Sequence, residues 1–140
     1  MRLERLASVR DSRRVTSDEM PRRTRAHIAL GAYGETLAAD YLRSQGMVIL
    51  HRNWRCDAGE LDVVARDGDT LVICEVKTRR SVSHGTPLEA VGKRKLAKLR
   101  LLSLRYVMEQ RIGPRSIRFD IIGVIQTWDG PPILHHVRNV

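Results

Sequence analysis

The chain has 140 residues, enough for one domain of ordinary size and too few for two. Its apolar fraction is 42%, yet no apolar run approaches the roughly 20 residues of a membrane-spanning helix, so it should close one core without a helical membrane anchor. With 25 Lys plus Arg against 16 Asp plus Glu the formal net charge is +9, a surplus that favours polyanions because neutralised phosphates release condensed counterions. Nucleic acid is the expected partner, although anionic lipid or ribosomes would attract the same charge. The two cysteines, Cys56 and Cys74, form no CxxC pair and the five histidines are scattered, which argues against a zinc module and fits a reducing, cytoplasmic compartment.

Residues 1–25 hold eight arginines and four acidic residues with little apolar periodicity, and read as a disordered basic arm ahead of a domain spanning 26–140. The arm has no apolar h-region and so is not a secretory signal; Met20 is an alternative start of translation. A helix is predicted over about 25–45, where Ile28, Leu30, Leu37, Ala38, Tyr41 and Leu42 recur at helical spacing and Gly46 terminates the run. Gly31 and Gly34 lie inside it at a cost of about 1 kcal/mol each, which a close backbone approach would explain. Glu35 follows one turn beyond Gly31 on that thin face.

Strands are predicted at 47–54 and 60–66, and the Asp67-Gly68-Asp69 turn leads into a third at 70–78. A loop over 79–86 precedes a long helix opened by Pro87 and reaching about Gln110, with Gly113-Pro114 ending that region. A fourth strand covers 116–126, and Asp129-Gly130-Pro131-Pro132 turns the chain into a short last strand at 133–137. The order helix, three strands, helix, two strands defines an α/β fold: an antiparallel meander, then a crossover helix, giving a mixed sheet flanked by helices.

Strand alternation locates the chemistry. Glu75 and Lys77 share one face of the third strand, with Val72, Cys74 and Val76 opposite. Glu60 and Asp62 share a face of the second strand, and the Asp67 hairpin brings them alongside. Two carboxylates at about 4 Å in an effective dielectric of about 20 repel by about 4 kcal/mol, and one lysine cannot neutralise three. A hard divalent cation can, taking one or two carboxylates with water and substrate phosphate. The bland alternative is a Glu75–Lys77 or Asp62–Lys77 ion pair at a strand edge.

On the long helix Leu88, Val91, Leu99, Leu102 and Tyr106 fall on one stripe with Lys95 in its middle, so Lys95 either snorkels or reaches into the acidic site. Lys93, Arg94, Lys98 and Arg100 read as a solvated basic face able to hold phosphates. Leu101 and Leu104 face away from the stripe and suggest a homodimer contact. Asp120, in an otherwise mostly apolar strand, either approaches the site or holds a structural arginine. His84 reads as exposed. Ser81 and Ser83 have no paired base, the glycines form neither a Walker loop nor a GxGxxG turn, and six unclustered aromatics provide no base-stacking platform.

Together Gly31-x-x-Gly34-Glu35, Asn53-Trp54-Arg55, Gly59-Glu60-Leu61-Asp62, Glu75-Val76-Lys77-Thr78-Arg79, Lys95 and Phe119-Asp120 resemble the YraN family of small bacterial proteins, from about residue 27 to the C-terminus. That family is placed in the PD-(D/E)xK superfamily, so the resemblance implies a restriction-endonuclease-like fold similar to archaeal Holliday-junction resolvases. It also implies that Glu35, Asp62 and Glu75 hold one or two Mg²⁺ or Mn²⁺ ions, that Lys77 orients the attacking water, and that Lys95 supports the site. Leu61 stands where the superfamily motif has proline. The implied activity is metal-dependent cleavage of DNA phosphodiesters, structured or branched DNA included; the alternative is a non-catalytic nucleic-acid-binding module.

Overall fold

The computed structural model describes residues 22–80, 92–127 and 129–140, with side chains from residue 29 onward. Seven elements follow in order: α1 (Arg22–Ser44), β1 (Val48–Cys56), β2 (Gly59–Asp67), β3 (Thr70–Arg79), α2 (Lys93–Gln110), β4 (Ser116–Ile125) and β5 (Ile133–Val137). The predicted order is the observed one. Residues 22–25, read as the end of the arm, already belong to α1, and the remainder of the arm lies outside the described residues, as do Pro87, Ser81, Ser83, His84, Leu88 and Val91. The helix predicted to run on from Pro87 begins at Lys93, because Gly92 is extended (ψ −178) and caps it.

The strands form one sheet in the order β1-β2-β3-β4-β5. Only β3 and β4 run parallel, and α2 lies in the connection between them, as a parallel neighbour requires a crossover. The other three pairings are antiparallel.

Alternation divides the core in two. On the α1 side Ala38, Ala39 and Leu42 pack on Ile49, Val63, Val72, Cys74, Val76, Ile122 and Val124. On the α2 side Leu99, Leu102 and Tyr106 pack on Leu50, Leu61, Val64, Leu71 and Ile73. The buried stripe of α2 is thus the predicted one over its described length. α2 stops before Gly113: Arg111 takes a left-handed conformation (φ 54), and the Ile112 amide bonds Val107 O at 3.2 Å as the Ile112 side chain is buried.

β1 departs from simple alternation. Its register shifts between Ile49 and His51, and Asn53 sits at φ 53. His51 and Trp54 both point at α2, where His51 Nδ1 lies 2.6 Å from the Tyr106 hydroxyl and the Trp54 indole donates to Glu109 at 2.6 Å. Between them Arg52 reaches the α1 side and donates to Thr36 Oγ1 at 2.9 Å.

A buried polar network joins β4 and β5 beneath α1. Asp120, fully buried, accepts from Arg118 Nε at 2.9 Å and Nη2 at 3.1 Å, from His136 Nε2 at 2.8 Å and from the Asn139 amide at 3.1 Å. Arg118 also pairs with Asp67 at 3.1 Å, and His136 Nδ1 lies 3.3 Å from the Tyr41 hydroxyl. Of the two roles open to Asp120, the structure selects the arginine.

Candidate functional site

The β2–β3 ladder runs from Asp67↔Thr70 to Val63↔Cys74 and stops there, while β2 stays paired to β1 and β3 to β4. The strands therefore part beside Glu75. An amide on the inner edge of such a gap needs a new acceptor. Val76 finds one in Asp62, whose Oδ2 accepts its N–H at 2.9 Å. Asp62 and Glu75 are 9% and 4% exposed, so both carboxylates are held out of water at the point of separation.

Two lysines face Glu75. Lys95 Nζ lies 3.2 Å from Glu75 Oε1, and Lys77 Nζ lies 3.6 Å from the same oxygen. Of the alternatives for a lysine in the apolar stripe of α2, Lys95 takes the site-facing one. Lys77 comes from β3 itself, two residues along the same face, as alternation requires.

Glu35 arrives from the other layer. At Gly34, α1 crosses the end of β3, and a Cβ there would land on the Thr78 hydroxyl and within 2.9 Å of its methyl group. The glycines predict a close approach to another backbone; at Gly34 the approach is to the Thr78 side chain, and among the described residues nothing lies within 4 Å of a Cβ at Gly31. The contact sets Glu35 over the gap, where it lines one open cleft of about 370 Å³ with Glu60, Asp62, Glu75, Lys77, Lys95 and Lys98.

Electrostatics in this cleft are unfavourable for anions. Burial, then the Glu75 charge, pushes the Asp62 carboxyl up to about 8 against the help of the Val76 amide. Burial also raises Glu35, opposed by a hydrogen bond from Asn53, with Glu60 and Glu75 adding to the rise and Arg52 countering it. Asn53 was not singled out from the sequence beyond its place in a motif. Its backbone is left-handed, at φ 53, a conformation asparagine tolerates.

Two expectations are revised. Glu60 lines the cleft but is paired with Arg55 at 2.7 Å, so it does not stand free beside Glu75. Lys98, assigned to a solvated basic face, also bends over the start of β2: Gly59, at φ 151, would bring a Cβ within 3.1 Å of Lys98 Cε. Lys93, Arg94 and Arg100 are exposed, as expected.

The donor set can be tested against a hard divalent ion. Among the described residues no three carboxylates, histidines or cysteines close on one point as a metal site would. Glu35 is held by Asn53, Asp62 by the Val76 amide and Glu75 by lysines. An ion of the Mg²⁺ class needs only one or two carboxylates, with water completing its octahedron. Asp62 and Glu75, close enough for the Glu75 charge to raise Asp62, fit that requirement, and the Glu35 charge adds a smaller rise.

Fold and cleft together define a small α/β protein with a mixed five-stranded sheet and a carboxylate–lysine cleft where two strands part. Residues 34–124 match the uncharacterised protein family UPF0102, and this chain belongs to that family. Similar relatives are each named UPF0102 protein. That of a Nocardioides species is 55% identical over 112 residues, 80% of this chain and 90% of the relative. That of Kineococcus radiotolerans is 51% identical over 117 residues, 83% and 96% respectively, and that of Beutenbergia cavernae 48% over 116 residues, 83% and 98%. No helix among the described residues is long and apolar enough to cross a membrane.

Proposed function

We propose that this protein is a metal-dependent phosphodiesterase of the PD-(D/E)xK type that acts on DNA in the cytoplasm, structured or branched DNA included. The observation that carries the reading is the pair of buried carboxylates, Asp62 and Glu75, at the parting of β2 and β3 with Lys77 and Lys95 beside them. Two buried acids side by side, with the Glu75 charge raising Asp62, are poor ion-pair partners for structure alone and good ones for a cation.

Asp62 and Glu75 would hold Mg²⁺ or Mn²⁺, with Glu35 lining the same cleft. When bound, the ion supplies Lewis-acid polarisation of the phosphoryl oxygen and a water of lowered pKa. Lys77 would orient the attacking water and meet charge developing on the phosphate, and Lys95, which pairs with Glu75, would support the same charge from α2. Lys93, Arg94, Lys98 and Arg100 would hold the backbone without reading sequence.

A second reading is favoured by the two lysines on Glu75, which neutralise it without an ion. On that reading the cleft is a structural ion-pair cluster and the chain a nucleic-acid-binding module. Labelled single-stranded, duplex, flap and four-way-junction DNA, incubated with Mg²⁺ or Mn²⁺, separates the two. The nuclease predicts metal-dependent cleavage lost in Glu75→Ala and Lys77→Ala. Equal DNA binding by wild type and both variants, with no cleavage of any substrate, selects the binding module.

A further inference from the structure

α2 exposes a second apolar surface, independent of the nuclease reading. Leu101 is 52% exposed, Leu104 56% and Met108 77%, and Ala97 is exposed beside them. At 100° per residue these four lie on one line, opposite the buried Leu99, Leu102 and Tyr106. Their spacing of four, three and four residues is that of alternating d and a positions of a heptad, d at Ala97, a at Leu101, d at Leu104 and a at Met108. The seam is about 16 Å long, which suits two to three turns of a partner helix.

Charge then selects the partner. With this register, Lys98 and Arg105 occupy e positions and Arg100 a g position, so the seam is rimmed by cations, of which Arg105 also pairs with Asp57. A second copy laid antiparallel about the Leu101–Leu104 centre would set Lys98 of one copy against Arg105 of the other, both at e positions. A parallel copy would set Arg100, at a g position, against Arg105, at the following e position. Either arrangement places like charges at the positions that govern coiled-coil pairing, which disfavours the self-association suggested by Leu101 and Leu104 alone. The heptad spacing favours a helix over a lipid surface, and this face carries no aromatic residue of the kind that anchors helices at a membrane interface.

We propose that the outer face of α2 docks an acidic amphipathic helix of another protein, with leucine-like residues on its seam and Glu or Asp on its flanks. Lys95 lies on another side of α2, while Lys98 both flanks the seam and lines the cleft, so such a partner would share that one cation with the cleft.

The probe is a labelled three-heptad peptide with Leu at a and d and Glu at e and g. Its controls are the same composition scrambled and a version with Lys at e and g. Anisotropy titrations should show binding of the acidic heptad peptide alone, weakened by salt. The double variant Leu101→Ser/Leu104→Ser, both positions being exposed, should melt like wild type and bind at least about tenfold more weakly. Arg100→Glu should weaken the acidic peptide and improve the Lys-flanked one. Equal affinity for the scrambled peptide, or affinity untouched by the leucine variant, overturns the proposal. So does a wild-type dimer in sedimentation that the leucine variant dissolves, or flotation with phosphatidylserine vesicles that depends on the same leucines, since these assign the seam to a second copy or to lipid.

Discussion

Asp62 illustrates how one side chain can serve a site and weaken the fold that carries it. Its carboxyl is raised from 3.8 to about 8, so the unfolded chain ionises first and the native state resists. Stability without metal therefore falls as pH rises from about 4 to about 8 and is flat above. Asn keeps an acceptor for the Val76 amide and never ionises. Asp62→Asn should match wild type near pH 4 and melt about 4 °C or more higher near pH 8 in chelator, the shift that roughly 1 kcal/mol produces in a domain of this size. Melts across that range decide it, and a variant no more stable than wild type at pH 8 removes the argument. Asp120 has the opposite sign. Burial pushes it up, but Arg118, His136 and the Asn139 amide outweigh burial and leave it below its ordinary 3.8. Its contribution is complete above that value and lost as pH falls through the depressed one. Asp120→Asn should cost about 3 kcal/mol in neutral chemical denaturation, with the gap closing in acid. Glu75 and Lys77 were legible from the sequence because alternation is a local rule. The His136 partner of Asp120 was not, since β5 meets β4 only through tertiary pairing.

Elements were legible wherever periodicity and turn chemistry agreed. The Asp67-Gly68-Asp69 hairpin set the β2–β3 register, and Ile133–Val137 is a strand over its predicted length. What stayed hidden is where elements cross or separate. The parting of β2 and β3 at Val63↔Cys74 has no composition signal, and the turn of β1 at Asn53 is a single-residue event. The two α1 glycines looked equivalent for the same reason, since a crossing point belongs to both elements. They should respond oppositely. Gly31→Ala has open space around it among the described residues and should stabilise by up to about 1 kcal/mol through helix propensity. Gly34→Ala must push Thr78 aside and should destabilise by about 1–3 kcal/mol. Thr78→Ala should recover part of that loss, a coupling that a double-mutant cycle measures directly. Equal effects of the two glycine substitutions would show that α1 does not seat on Thr78.

Across the whole molecule the surplus of +9 is not spread evenly around α2. Helical geometry puts Arg94 and Lys98 toward the cleft side of the exposed Leu101–Leu104–Met108 line and Lys93 and Arg100 on its far side. A DNA backbone running into the cleft should therefore meet Arg94 and Lys98 first, with Lys98 already bent over Gly59. Each phosphate contact contributes roughly 0.9 to the slope of log affinity against log salt on duplex DNA. Arg94→Ala/Lys98→Ala should flatten that slope by about 2. Lys93→Ala/Arg100→Ala removes the same charge, so any purely global attraction must fall equally in both pairs. A salt titration of duplex binding with the two double variants therefore tests location at constant net charge. Equal slopes would mean that DNA feels only the overall field, and the cleft would lose its claim to be where the backbone enters.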